Sequence, residues 1–338
     1  MKRNISVATL ASTYRTSTQK RIADGRYTSA ALFICSLIFW GAGALFDTTV
    51  EAKYLPTWVL QLFADCNVYL SRFVSLLFSL LTAFLMVSYV ILERRVSWQL
   101  SMLMFVTAAA FNVLPDASAF FTMLLPVVVM GLLFRCDASG NIVHELYALF
   151  AITASFALFF PQITILLPLL LLYPAMGGKL SPKAFFASLL GVATPLWVAV
   201  ALIYLFPSLY SFADYLKVFF ATLWQQPRVV LSPAMLLMFV AEFVVALPAM
   251  VHFFVTASIG RTYLRRRMIF CIVSNVVLWL AGWLLPEFLV LFFIWRLPVY
   301  SLLSAYVFSA LPPKVSNVYI VSSLLLWTIS MVIGIWIG

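Results

Sequence analysis

Long apolar runs, separated by short polar connections, follow one another from residue 28 to the end of the chain. A hydrocarbon core about 30 Å thick needs about 20 apolar residues in a helix that rises about 1.5 Å per residue. Because unpaired backbone groups cannot face hydrocarbon and no alternating barrel pattern is present, we predict an all-α transmembrane bundle. The runs predict eleven spans, at about 28–46, 69–92, 98–114, 117–134, 143–160, 162–176, 183–206, 232–257, 268–285, 287–310 and 315–337.

The segments between the spans predict how the chain is organised. Residues 1–27 are polar, basic and rich in Ser and Thr, which indicates a cytoplasmic tail that touches anionic headgroups. Residues 28–338 are predicted to form a single transmembrane domain. In the longest outer connection, 207–231, aromatic residues recur near helical spacing, so we expect an interfacial helix near 211–225 on the outer leaflet.

Four consecutive spans, two within 98–134 and two within 143–176, are short, about 22–27 Å each at 1.5 Å per residue. If their inner ends lie at the cytoplasmic headgroups, the outer turns at 115–116 and 161–162 fall below the outer surface. A polar turn at that depth is expected to line a wet recess between helices. Local thinning of the bilayer and re-entrant hairpins that do not fully cross it are alternatives, and both remain open.

The placement of charge predicts the orientation of the chain. Only 9% of its residues are charged, against about 25% in soluble domains. The predicted cytoplasmic segments hold sixteen Lys and Arg residues and the outer segments hold three, which predicts a cytoplasmic N-terminus and an external C-terminus. Because the basic residues stand at helix ends and not on one face, the net charge of +10 does not indicate nucleic-acid binding.

Two charged residues fall near the middle of predicted spans, where a charge is costly and is a candidate for function. Glu242 and Arg296 lie at matching depths, about 14–15 Å from the outer end of their spans at 1.5 Å per residue. A buried ion pair is the simplest interpretation. Either the pair is structural, or Arg296 binds an anionic substrate and Glu242 orients it, since the guanidinium fork suits phosphate and carboxylate.

The predicted outer side carries further candidates. Arg72 lies near the outer end of the second span, where it either extends to the interface or binds an anion. Asp47 follows the first span and Asp116 lies in a recessed turn, so either carboxylate could act as a general base or hold a divalent ion. The alternative interpretation is that both acids only contribute to the overall charge of the outer face and have no specific role.

Recognisable catalytic motifs are missing from the sequence. It contains no P-loop, dinucleotide fingerprint, HExxH or nucleophile elbow, and its four cysteines lack metal-ligand spacing. The sequence therefore predicts no metal site and no cofactor. Prolines within the spans predict kinks, which mark ion sites in transporters, at Pro126, Pro168, Pro195, Pro248 and Pro298.

Three short motifs lie between Tyr89 and Trp197. They are the turns Asn112-Val113-Leu114-Pro115 and Phe159-Phe160-Pro161-Gln162, and the basic loop 179–183 that leads to Gly191-Val192-Ala193-Thr194-Pro195. This third of the chain resembles an uncharacterised family of polytopic inner-membrane proteins of Bacteroidetes. The resemblance implies a bacterial inner-membrane location and a domain of unknown function, and it supplies no catalytic residues.

A looser likeness is to C-type glycosyltransferases and O-antigen polymerases. These proteins have an acid after the first span and arginines that hold a lipid-linked phosphate, an outline that Asp47, Arg72 and Arg296 fit. The chain departs from them in lacking a long first outer loop, a paired acidic motif and a large outer domain. The likeness is therefore one of architecture.

Three functions follow from these observations. The first is an envelope protein, enzymatic or not, that handles a polyprenyl-phosphate-linked glycan at the outer leaflet. The second is a transporter with its site between kinked helices, and the third is a non-catalytic membrane subunit or scaffold. The expected partners are membrane lipids, a lipid-linked glycan and other membrane proteins. A cleft open to the outside would favour the glycan-handling protein, and a closed site at the membrane midplane would favour the transporter. A solidly packed bundle would favour the subunit or scaffold.

Overall fold

A computed structural model of the chain describes residues 27–42, 68–89, 96–114, 117–136, 142–159, 161–205, 232–256, 262–285 and 288–337. Within these ranges every regular element is helical, in agreement with the predicted all-α class. The N-terminal tail up to residue 26, the predicted interfacial helix and the candidate acids Asp47 and Asp116 lie outside the described residues.

The helices follow the predicted spans closely. In chain order they are α1 (Thr28–Ala42), α2 (Val68–Tyr89), α3 (Val96–Val113), α4 (Ala117–Thr122), α5 (Leu124–Arg135), α6 (Ile142–Phe159), α7 (Leu166–Met176, after a 3₁₀ turn at Pro161–Ile165), α8 (Pro182–Leu205), α9 (Pro233–Thr256), α10 (Thr262–Leu284), α11 (Leu289–Ala310) and α12 (Pro313–Ile337).

Serine followed by proline starts two of the long helices. The hydroxyl of Ser181 accepts a hydrogen bond from the Ala184 amide at 3.2 Å, and that of Ser232 accepts one from the Met235 amide at 3.2 Å. The following prolines occupy the first helical position, where a missing N–H leaves no bond unmade. Local sequence therefore sets where α8 and α9 begin.

Within the described ranges, six helices are long and apolar enough to cross a membrane: α2, α8, α9, α10, α11 and α12. The apolar segments Thr28–Gly41, Trp98–Val113, Ala119–Arg135, Ile142–Leu158 and Gln162–Met176 are shorter. The short lengths predicted for the spans within 98–134 and 143–176 are thus confirmed. The number of complete crossings stays a prediction.

Helices α3 and α11 form the centre of the bundle. In α11 the side chains from Leu289 to Phe308 are buried except for Val290, Ala305 and Tyr306, and the side chains from Ser101 to Asn112 in α3 are all buried. A helix that is apolar on all sides packs among other helices. Because protein surrounds α3, its short length does not have to match the thickness of the bilayer.

Small residues bring the helices close together. Ser316, Ser323 and Ser330 recur every seven residues on α12 and are fully buried on the side of the helix that packs against its neighbours. In α8, a Cβ atom at Gly191 would lie 2.6 Å from the Tyr147 carbonyl oxygen of α6. Small residues permit such close backbone approach, which is how membrane helices gain packing energy without a hydrophobic driving force between them.

The two ends of the bundle differ in charge. Contacts of Trp98 with Phe308 and of His252 with Tyr306 place the start of α3 beside the ends of α9 and α11. Most of the described basic residues near helix ends belong to this side, which we call the basic end: Arg135, Lys179, Lys183, Arg265, Arg266, Arg267 and Lys314. Arg72, near the start of α2, does not. The side where α1 and α3 end and α2 begins is the opposite end. The same difference in basic residues between the two sides is what predicts the orientation of the chain from its sequence.

Candidate functional site

Glu242 of α9 and Arg296 of α11 form an ion pair inside the bundle. The Nε atom of Arg296 donates a hydrogen bond to Oε1 of Glu242 at 3.0 Å, and its Nη2 atom donates one to Oε2. The pair is therefore bidentate, the strongest geometry for a guanidinium and a carboxylate. Glu242 is fully buried and Arg296 is 3% exposed. The ion pair predicted from matching depth is present.

A third helix contributes to this cluster. The amide Nδ2 of Asn275 in α10 lies 3.5 Å from Oε1 of Glu242, within donating distance. The ring of Phe293, 5.9 Å from Cζ of Arg296, faces the guanidinium. We call Glu242, Asn275 and Arg296 the central cluster. It joins α9, α10 and α11, and its contacts offset part of the large cost of removing both charges from water.

The same register continues along α9 and α11. Ten residues beyond Glu242 and Arg296, the Nδ1 atom of His252 lies 3.3 Å from the Tyr306 hydroxyl. Both helices advance by ten residues between these two contacts, so α9 and α11 run parallel and pair residues 54 positions apart in the sequence. A common depth for Glu242 and Arg296 is therefore a consequence of how the two helices pack along their whole length.

A neutral polar network lies one helical turn from Arg296 towards the basic end. The hydroxyl of Tyr300 is 2.8 Å from that of Ser323, and Nε1 of Trp327 donates to the Tyr300 oxygen at 3.1 Å. All three side chains are buried. Sequence reasoning missed this network. The signal that could have indicated it is the seven-residue spacing of serines on α12, which marks one face of that helix.

Arg72 lies elsewhere, where α1, α2 and α3 meet at the opposite end. Its Nη1 atom donates to Oδ1 of Asn112 at 3.2 Å, and its Cζ atom is 5.2 Å from the centre of the Phe111 ring. Asn112 in turn donates to the carbonyls of Phe39 and Ala108, each at 3.0 Å. Arg72 is 4% exposed, so it does not extend to the interface, because α3 supplies a polar partner inside the bundle.

The structure thus separates the candidates that the sequence grouped together. Glu242 contacts both Arg296 and Asn275, whereas Arg72 contacts Asn112 and Phe111 of α3. Asp47 and Asp116 lie outside the described residues. Among the described residues, no group of three or more His, Cys, Asp and Glu side chains is arranged to hold a metal ion.

A small cavity lies among α5, α7, α10 and α11. Its volume is about 20 Å³, and it is lined by apolar side chains and by Ser274. The Ser274 hydroxyl is buried and makes no hydrogen bond to the described residues. A cavity of this volume holds about one water molecule. The residue after Ser274 is Asn275, which belongs to the central cluster.

No family model, no curated protein and no solved structure matches this chain. Its class follows from its own architecture. The long apolar helices, and the apolar side chains exposed around a buried polar centre, define a helical membrane protein with several membrane spans.

Proposed function

We propose that this protein is a non-catalytic membrane subunit whose central cluster fixes the arrangement of its core helices. The closed, bidentate pair of Glu242 and Arg296 carries this proposal. Both carboxylate oxygens accept hydrogen bonds from Arg296, and the two charges neutralise each other. A substrate-binding arginine would instead direct its donors into a chamber large enough for the substrate.

The course of the helices supports a structural role over a transport site. Pro248 lies inside α9 and Pro298 lies inside α11, yet both helices continue through these positions. Transport sites at mid-membrane are typically formed where a helix is interrupted and its ends point at the ion or substrate. Here the charges come from side chains on continuous helices.

Mild extraction of the full chain from native membranes tests the subunit role. We expect a stable assembly larger than the 38.0 kDa chain, and we expect it to persist in the double variant Glu242→Gln/Arg296→Met. The double variant removes both charges together, so it leaves no unpaired charge in the core. A chain that is extracted as a single copy, with no partner, would contradict the proposal.

A second candidate function is the handling of a polyprenyl-phosphate-linked glycan at the outer leaflet. The observation that favours it is the position of Arg72, a buried cation held in place by Asn112 and Phe111 at the opposite end. A guanidinium fixed in this way is suited to a phosphate group. The orientation that places this end outside rests on the charge bias of the sequence.

Native mass spectrometry of the chain in nanodiscs distinguishes the two functions. With polyprenyl phosphate added to the lipid, the second candidate predicts retention of that lipid by the wild-type chain and its loss in Arg72→Lys, which lacks the planar fork. Equal retention by both chains, or by neither, would reject Arg72 as the phosphate-binding group.

A further inference from the structure

Three aromatic rings form a continuous layer at the basic end of the bundle. Phe134 of α5, Tyr173 of α7 and Phe270 of α10 contact one another, with ring centres 5.3, 6.0 and 5.4 Å apart. All three side chains are at most 2% exposed. We call these residues the aromatic floor. It joins the last turns of α5 and α7 to the first turns of α10.

Two neighbouring arginines of α10 lie on this floor. Cζ of Arg266 is 5.8 Å from the centre of the Tyr173 ring, and Cζ of Arg267 is 5.0 Å from that of Phe134. Nη2 of Arg267 also donates a hydrogen bond to the Phe134 carbonyl at 3.1 Å. Stacking on aromatic faces and a backbone contact set the planes of the two guanidiniums, which on an open surface would be free to rotate.

A glycine makes room for the first of these arginines. A Cβ atom at Gly177 would come within 3.1 Å of Cζ of Arg266 and closer still to its Nη1 atom. The next residue, Gly178, has a φ of 64°, which glycine adopts at little cost and which turns the chain directly after α7. The loop therefore passes tightly beside the guanidinium and brings Lys179 to the same end.

Further positive charge surrounds the two arginines. Arg135 follows Phe134 and is exposed, Arg265 precedes Arg266 and is exposed, and Lys179 is half-buried. Asp137 and Glu145 are the acidic residues nearest to Arg135 in the sequence, so basic residues outnumber acids in this region. Clusters of this kind, between helices and at the level of the headgroups, suit anionic lipids.

We infer that Arg266 and Arg267, held on the aromatic floor, form a binding site for the phosphate headgroup of an anionic phospholipid. The planar guanidiniums suit the phosphodiester oxygens, and Arg135, Arg265 and Lys179 add attraction from the rim. The acyl chains would lie along the apolar surface of the neighbouring helices. The site is separate from the central cluster and does not depend on the proposed function.

Nanodiscs of two compositions test the site with the full chain. One contains phosphatidylcholine alone, and in the other part of the lipid is phosphatidylglycerol. We expect phosphatidylglycerol to raise the Tm of the wild-type chain and to be retained in native mass spectrometry. Arg266→Gln should reduce its apparent affinity about fivefold, the effect of one basic group close to an anionic surface.

Two further variants distinguish a specific binding site from nonspecific electrostatic attraction of the lipid. Gly177→Ala keeps every charge but displaces Arg266, so it should also weaken retention of phosphatidylglycerol. Lys314→Gln removes one exposed charge at the same end, away from the floor, and should retain the lipid as the wild type does. Equal losses in Arg266→Gln and Lys314→Gln, with none in Gly177→Ala, would overturn the proposal in favour of diffuse attraction.

A third measurement separates a lipid from a soluble anion. In phosphatidylcholine nanodiscs, inorganic phosphate should leave the Tm unchanged, because a free anion lacks the acyl chains that hold a lipid beside the site. A rise in Tm with phosphate alone that matches the effect of phosphatidylglycerol would mean that the site binds soluble anions, and the lipid assignment would be wrong.

Discussion

Glu242 is fully buried, and Arg296 and Asn275 supply the hydrogen bonds that water would otherwise make to its carboxylate. Such a pair contributes little net stability compared with a well-packed apolar core, yet breaking it is costly. Its value lies in selecting one arrangement of α9, α10 and α11, because sliding any one of them would leave a charge without its partner.

Removing one partner should therefore destabilise the protein more than removing both. We expect Arg296→Met alone to lower the free energy of unfolding by about 3–5 kcal/mol, since it leaves a buried carboxylate uncompensated. The double variant Glu242→Gln/Arg296→Met should regain most of that loss. Chemical denaturation in a fixed detergent measures both, and a double variant less stable than either single one would refute the structural role.

The hydroxyl of Tyr300 gives a second prediction at this scale. Tyr300→Phe removes the shared bonds with Ser323 and Trp327 without opening a cavity, so we expect a loss of about 1–3 kcal/mol from the unmet polar groups. Tyr319→Phe on α12 is the matched control, because no hydrogen bond of its hydroxyl is formed with the described residues. Equal losses in the two variants would show that the network adds nothing.

Helix pairs in this bundle are held by backbone proximity as much as by side chains. The packing of α6 against α8 depends on Gly191, whose position leaves no room for a Cβ atom against the Tyr147 carbonyl. The outer face of α8 is apolar and exposed along its length, at Phe186, Leu190 and Trp197 among others. Helix α8 therefore packs against α6 on one side and faces lipid or a partner on the other.

Gly191→Ala should push α6 and α8 apart and destabilise the protein by about 1–3 kcal/mol, as overpacking does elsewhere. Gly41→Ala in α1 is the control, since nothing lies within 4 Å of a Cβ there. That change should be neutral, or stabilising by about 0.5–1 kcal/mol, because alanine favours the helix. Thermal unfolding compares them, and a Gly191→Ala variant as stable as Gly41→Ala would disprove the close contact.

The whole bundle is polarised, with most of the described basic residues near helix ends gathered at one end. The positive-inside rule predicts that this end lies in the cytoplasm. In a chain without its native cysteines, Ser181→Cys should react with an impermeant maleimide only after the membrane is opened. Tyr69→Cys, exposed at the opposite end, should react in intact cells. The reverse pattern would invert the orientation.

The sequence is most informative along the axis normal to the membrane. Hydropathy located the helices, and depth matched Glu242 with Arg296. It gives less information in the membrane plane. The sequence does not indicate that Asn112 is the partner that holds Arg72 inside the bundle, and anion binding by Arg72 stays a prediction.

The physical reason is that a bilayer imposes one axis on every helix and no order around it. Lipid tails and a protein core are equally apolar, so hydrophobicity reports the depth of a residue but not which neighbour it faces. The sequence by itself therefore determined the class, the helices and the gathering of basic residues at one end. Only the tertiary structure decided that α3 and α11 are central, that Asn275 completes the ion pair, and that two arginines rest on an aromatic floor.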